Sequence, residues 1–266
     1  MELIKKLRER TGAGMVDCQR ALKEADNDLD KAVEILRKKG IAKAAKRGDR
    51  ETNEGVIKLA LNENGTEGYI VELNSETDFV SRNEKFQEMA DLILETIKTK
   101  KPADLEALLS SEAEGSTIKE IIDTLSGTIG EKMGIKNFAI LNGETVAIYS
   151  HLGGKIGVLV ALDQADKKDL AYEVAMQIAA ASPRYIYPSE VKAEDLEKEK
   201  EIYKEQLLKE GKPEAMIDKI VEGKMGKYYS EVCLVEQESI KDDKKKIKDL
   251  LGEAKVIKFI RFTLAN

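Results

Sequence analysis

The chain has one histidine, His151, and only two cysteines, Cys18 and Cys233, among 266 residues. A single histidine excludes a zinc site built on several histidines and leaves a catalytic triad only this one residue to use. The cysteines stand far apart with no C-x-x-C spacing, so neither a disulfide framework nor a zinc site is expected. No apolar run approaches the roughly 20 residues that cross a bilayer. Met1-Glu2-Leu3-Ile4-Lys5-Lys6 opens an amphipathic helix with no secretory core, so a cytoplasmic protein without membrane contact is expected. The G-x-x-x-x-G-K-S/T pattern is absent as well: Gly153-Gly154-Lys155 has the wrong spacing and joins strand to strand, so no cofactor or nucleotide site of that kind is expected. Excess positive charge is also lacking. The formal net charge is −6, which argues against direct nucleic-acid binding, because phosphates need a positive surface. One local basic stretch, Arg37–Arg50 with Lys38, Lys39, Lys43, Lys46 and Arg47, reads as a solvated linker helix. It carries no aromatics on which bases could stack.

What is present is charge and periodicity. Charged residues make up 35% and hydrophobic ones 42%, the balance of a well-solvated chain long enough for more than one core. Leu3, Ile4 and Leu7 share one helical face. Met15, Cys18, Leu22 and Ala25 share a second, and Leu29, Ala32, Val33 and Leu36 a third, with Gly40 as the natural end of that helix. From Gly55 the period changes to two. Val56–Leu61 and Gly68–Leu73 flank Asn62-Glu63-Asn64-Gly65, a strong hairpin signal. A helix follows with Phe86, Ala90, Ile93, Leu94 and Ile97 on one face. Residues 102–134 read as weaker helix.

The same plan recurs. Val146–His151 and Ile156–Leu162 flank a second glycine turn, and a helix with Leu170, Val174, Ala175 and Ile178 follows. Val56 and Val146 suggest an offset of 90 residues (146 − 56). The predicted fold is therefore α+β. Residues 1–54 form a three-helix bundle and linker, and 55–140 and 141–266 form two duplicated hairpin–helix subdomains. Residues from about 193 to 227 interrupt the second unit. Leu196, Tyr203 and Leu207 answer Met216, Ile217, Ile220 and Val221 across Gly211-Lys212-Pro213, which predicts a protruding antiparallel helical hairpin. Tyr185 and Tyr187, between Pro183 and Pro188, read as packing residues of a rigid bend. Val256–Phe262 reads as a returning strand.

The stretch richest in chemistry is Glu72–Phe86. Ser75 with Asp78 and Ser81 with Glu84 both match a helix-start pattern, which places Thr77-Asp78-Phe79-Val80 on a tight strand-to-helix corner. Phe79 could wedge into a partner while Asp78 biases local charge, or Phe79 could fold into the core while Asp78 caps a helix. The second unit has Leu162-Asp163-Gln164-Ala165 after its strand and lacks the aromatic, so packing alone does not demand it. His151, before its glycine turn, is either an exposed turn residue or a contact. Three function classes follow. The chain is a regulator using Phe79 and the bundle, an acid–base enzyme using His151 with a carboxylate such as Asp78, or an adaptor that only gathers partners. A protruding Phe79 favours the first.

Thr11-Gly12-Ala13-Gly14-Met15-Val16-Asp17-Cys18, Thr77-Asp78-Phe79-Val80, His151-Leu152-Gly153-Gly154, Ile156–Val160, Val221-Glu222-Gly223-Lys224-Met225 and Phe259-Ile260-Arg261-Phe262 resemble, in the same order, the bacterial elongation factor Ts family. The resemblance spans almost the whole chain. It implies a ubiquitin-associated-like N-terminal bundle and a coiled-coil hairpin at about 193–227. It also implies a guanine nucleotide exchange factor for the translational GTPase elongation factor Tu, acting without covalent chemistry. The partner-binding residues it implies are Phe79 and Asp78 with Thr77 and Val80 near the GTPase's magnesium site, Arg8, Met15 and Val16 on the bundle, and His151 on the second hairpin. Gln19 departs, standing where relatives commonly carry lysine. The helical hairpin is left with two uses, self-association as a homodimer or contact with the GTPase.

Overall fold

The computed structural model describes residues 1–11, 13–45 and 49–264, leaving aside the side chains of 41–45. Of the basic stretch, Lys46, Arg47 and the side chain of Lys43 lie outside the described residues. Three helices come first: α1 Glu2–Thr11, α2 Met15–Glu24 and α3 Leu29–Ala45. Leu7, Cys18, Ala21, Leu22 and Ala32 close on one another as a small apolar core. The Asp28 carboxylate starts α3 by accepting from the backbone N–H groups of Asp30 and Lys31 at 3.0 and 3.1 Å.

The next segment contains β1 Glu54–Leu61, β2 Glu67–Ser75, α4 Asp78–Ser81, α5 Glu84–Lys100 and α6 Leu105–Ser110. It continues through the short ladder β3 Glu112–Ala113 and β4 Ser116–Thr117 to α7 Ile118–Ile129 and β5 Met133–Asn142. Sheet order is β1-β2-β5, antiparallel throughout. The β1–β2 turn closes at Gly65, whose φ of 70° suits glycine, while the Asn62 side chain accepts from the Thr66 N–H at 2.9 Å. Strand β5 has no counterpart in the sequence reading. It is an edge strand with exposed Lys136 and Asn137 at its middle, so its alternation is broken. The helix starts are also corrected. Asn83, not Ser81, caps α5, accepting from the Lys85 N–H at 3.0 Å. Buried Ser75 and Ser81 instead donate to the carbonyls of Thr77 and Asp78 at 2.9 and 3.0 Å, because a buried hydroxyl must find a partner.

Gly40 does not end its helix. It lies inside α3, where a β-carbon added to Gly127 of α7 would overlap the Gly40 backbone. The two glycines let the helices cross closely, and Arg37 pairs with Glu120 beside them. The second half of α3 is therefore docked on α7 rather than solvated on all sides as a linker.

The second segment contains β6 Thr145–His151, β7 Ile156–Leu162, α8 Lys168–Ala181, α9 Ala193–Lys209, α10 Glu214–Val232, α11 Ile247–Leu251 and β8 Val256–Thr263. Its sheet order is β6-β7-β8. The two sheets stack back to back. Ile57 and Ile70 meet Val146, Leu159 and Ala161 between them, while Val71 and Leu73 face α5 and Val158 and Val160 face α8. This alternation is the period-two rule of strands. Gly68 and Gly157 allow the close approach, since a β-carbon on either would press on side chains of the facing sheet. The turns interlock as well: the Ile57 N–H donates to the Gly154 carbonyl at 2.8 Å and the Val146 N–H to the Gly65 carbonyl at 2.7 Å. These reciprocal bonds relate positions 89 apart (154 − 65 and 146 − 57), one fewer than the offset read from the sequence. One residue decides a face: Ile57 and Val146 both point between the sheets, whereas Val56 points toward α5.

Helices α9 and α10 form the hairpin, which runs to Val232 rather than 227. Its seam of Leu207, Ile217, Val221, Met225 and Tyr228 continues into Tyr185, Val191 and Cys233 at the base. Tyr185 donates to Asp195 at 3.1 Å and Tyr187 to the Val256 carbonyl at 3.2 Å, tying the bend to hairpin and sheet. Both thiols are free and buried. Burial pushes the Cys233 thiol up to about 11, which keeps it protonated and unreactive near neutrality. Among the described residues no helix is long and apolar enough to cross a membrane.

Candidate functional site

Strand β2 ends at Ser75, and α5 begins at Glu84. The single turn of α4 between them must reverse the chain while hiding some side chains and releasing others. Val80 and Ser81 turn inward at 5% and 7% exposure, whereas Phe79 stands 84% exposed. Burying a phenylalanine would gain roughly 1.5–3 kcal/mol, so this exposure forgoes a stabilising contact in the free chain. Asp78 caps nothing; its carboxylate pairs with Arg82 one turn on, at 3.0 Å. Val80 is buried and belongs to the apolar cluster that also holds Leu73, Phe86 and Met133.

The corner is held from a distance in sequence. Glu131, just after the left-handed Gly130 that ends α7, accepts from the Thr77 backbone N–H at 3.1 Å and from its hydroxyl at 2.9 Å. The Ser126 hydroxyl donates to the Glu131 carbonyl at 2.6 Å. Glu76 accepts from the Lys132 backbone N–H at 2.5 Å and from Arg50 at 3.1 Å. The Lys132 ammonium in turn donates to the Arg50 carbonyl at 2.8 Å. Thr77 thus spends its hydroxyl inside the protein. Sequence reasoning missed Glu131, Glu76 and Arg50, since no local pattern joins residues 54 apart.

On the bundle, Met15 and Val16 are 55% and 65% exposed at the start of α2. Met1, Ile4, Arg8 and Met15 line an open cleft of about 440 Å³ beside them. Ala13 and Asp17 border Gly127 and Thr128 near the end of α7. The start of α2 and the Phe79 corner therefore both border the end of α7 and the residues after it. His151 is an exposed residue at the last rung of β6. Its Nδ1 lies 3.1 Å from the Tyr149 hydroxyl, with the two rings stacked at 5.9 Å. The structure gives His151 to Tyr149 and Asp78 to Arg82, and so does not join them as an acid–base pair. Among the described residues, no group of three His, Cys, Asp or Glu residues is placed to hold a metal.

Residues 76–266, beginning one residue before Thr77, match the family model described as Elongation factor TS. The chain is 44% identical to elongation factor Ts of Deinococcus deserti over 264 residues, covering 99% of each protein. Its identity to elongation factor Ts of Deinococcus radiodurans is also 44%, over the same share. With a mixed helix-and-sheet fold and a match along nearly its full length, this chain belongs to the elongation factor Ts family.

Proposed function

We propose that the protein is the guanine nucleotide exchange factor of elongation factor Tu and promotes GDP release during translation elongation. The observation that carries this reading is Phe79, held solvent-exposed on a corner whose backbone is fixed by Glu131. An apolar side chain kept out of its own core is suited to a pocket in a partner. Phe79 enters an apolar pocket between helices of the GTPase near its magnesium site, and Asp78, beside it, rearranges polar contacts of the same helix. Displacing that helix would disturb the GTPase's bound magnesium and so weaken its hold on the nucleotide. Arg8, Met15 and Val16 form a second contact face on the bundle, and His151 with its glycine turn a third. The two stacked sheets are copies of one hairpin–helix unit, of which only the first keeps the aromatic corner; at the 89-residue offset from Phe79 stands Lys168. The bundle is of the ubiquitin-associated kind, and the α9–α10 hairpin is an arm for the GTPase or for a second copy of the chain.

Linkage supplies the mechanism without covalent chemistry. A factor that binds the nucleotide-free GTPase more tightly than the loaded one must weaken nucleotide binding by the same ratio. Each tenfold difference corresponds to about 1.4 kcal/mol. The test is release of fluorescent GDP from elongation factor Tu under excess unlabelled nucleotide. Substoichiometric protein is expected to accelerate release through many turnovers, and a release rate unchanged at saturating protein overturns the proposal.

A further inference from the structure

The exposed phenylalanine sits on the single turn of α4, and the residue that enters this turn, Thr77, is clamped by a carboxylate from a distant part of the chain. We infer that Glu131 is a positioning residue for exchange, presetting the Phe79 corner and joining it to the N-terminal bundle through α7; this rests on the exchange reading above. The Glu131 carboxylate takes both donors of Thr77, the N–H at 3.1 Å and the hydroxyl at 2.9 Å. Those two bonds fix the residue at the entry to α4, where the Thr77 side chain caps no helix N–H. Phe79 lies two residues on, so the direction of its ring follows from the orientation of that first turn.

Glu131 is itself fixed. Its carbonyl receives the Ser126 hydroxyl at 2.6 Å, and it follows Gly130, whose φ of 95° ends α7. Four residues upstream of Glu131, Gly127 meets Gly40 of α3, and about two helical turns further upstream Glu120 pairs with Arg37. The neighbouring pair Glu76 and Lys132 fastens Arg50, in the segment that leads from the bundle to β1. One helix thus carries the bundle on its side and the clamp at its end. Insertion of a ring into a partner is faster when the loop is already ordered, because the ordering entropy is not lost at the moment of binding. Removing the clamp leaves Phe79 exposed but free to point in several directions, which lowers the rate reached at saturation more than the concentration needed to reach it.

Glu131→Ala, Glu131→Gln and Thr77→Val in the full chain test this with labelled GDP release from elongation factor Tu. Glu131→Ala is expected to lower the maximal release rate about tenfold with at most a twofold change in half-saturating concentration. Glu131→Gln keeps an acceptor and recovers most of that loss, and Thr77→Val, which removes only the hydroxyl, shows about a threefold loss. Amide exchange at Thr77 in the free protein should speed up in Glu131→Ala. The deciding arm is the double variant with Phe79→Ala: if Glu131 acts through the ring, adding Glu131→Ala to Phe79→Ala lowers the rate no further. Additive losses, or a maximal rate unchanged in both Glu131→Ala and Thr77→Val while the wild-type protein is active, overturn the inference. An inactive wild-type protein overturns the exchange reading instead.

Discussion

Two adjacent residues on one helical turn make opposite predictions. Phe79 is exposed and Val80 buried, so the same kind of truncation separates function from packing. Phe79→Ala is expected to change stability by no more than about 0.5 kcal/mol, the usual range for surface positions, while slowing GDP release sharply. Val80→Ala removes methyl groups from the cluster of Leu73, Phe86 and Met133, and is expected to cost about 1–3 kcal/mol. Paired urea titrations and release assays check both. A loss of about 3–5 kcal/mol in Phe79→Ala, the cost of truncating a core phenylalanine, would show that the ring packs inward in solution. The sequence placed an aromatic and a carboxylate on a corner but could not orient them. Which of four consecutive side chains points inward depends on where β2 ends and which residue caps the next helix, and here Asn83 took the role the serine patterns suggested.

Among the elements, the α9–α10 hairpin carries its own apolar seam, with Leu207, Ile217, Val221 and Met225 facing one another. Its outer faces are charged, and Ile202, Leu208 and Met216 remain exposed. Replacing residues 193–227 with a short Gly/Ser linker is expected to leave both sheets folded, since joining neighbouring ends adds only a modest loop entropy. The base is not independent, however. Tyr185, Val191 and Cys233 belong to the hairpin's seam, so the melting temperature should fall by several degrees, at roughly 2–4 °C per kcal/mol for a chain of this size. Partial exchange activity should survive, because Phe79 and the bundle lie on other elements. Near-ultraviolet circular dichroism and the release assay read the two outcomes, and global unfolding on replacement would place the hairpin inside the core.

For the whole molecule, the bundle is docked rather than tethered. Deleting residues 1–50 removes α3 from α7, together with the Arg37–Glu120 pair and the Arg50 contacts. The stacked sheets bury their own clusters, so a folded core is expected, with exchange much reduced. Retention of full exchange by the truncated chain would remove Met15 and Val16 from the contact face. Acid stability is a second property of the whole. The Lys246 and Lys248 ammonium groups hold the Glu236 carboxyl below its ordinary value of 4.5, from 2.7 and 2.9 Å. A carboxyl lowered by folding contributes stability fully above its unfolded value and loses it as pH falls through the folded one. Glu236→Gln should therefore lower stability by about 1 kcal/mol near pH 7, with the gap closing below about pH 4. Thermal melts at a series of pH values check this, and a gap independent of pH would exclude ionisation as its source.

Local pattern sufficed for much of the architecture. Helical spacing gave α1 to α3, α5 and α8, the glycine turns gave both strand hairpins, and Val256–Phe262 gave the returning strand, because each of these buries one regular face. Ordered motifs gave the family. Edge strand β5 escaped, since a strand exposed along its middle keeps no alternation. The spacing of the two hairpins reads as 90 residues in the sequence, whereas the Ile57–Gly154 and Val146–Gly65 bonds relate positions 89 apart, because residues on the two faces of a buried strand look alike until a partner sheet selects one. Gly40 was read as a helix end because a glycine followed a helical pattern; only the crossing with Gly127 shows why it lies inside one. The exposure of Phe79 and its clamp by Glu131 were likewise decided in three dimensions. They depend on a loop 54 residues away in the chain, and no periodicity or spacing within a sequence window carries a contact of that range.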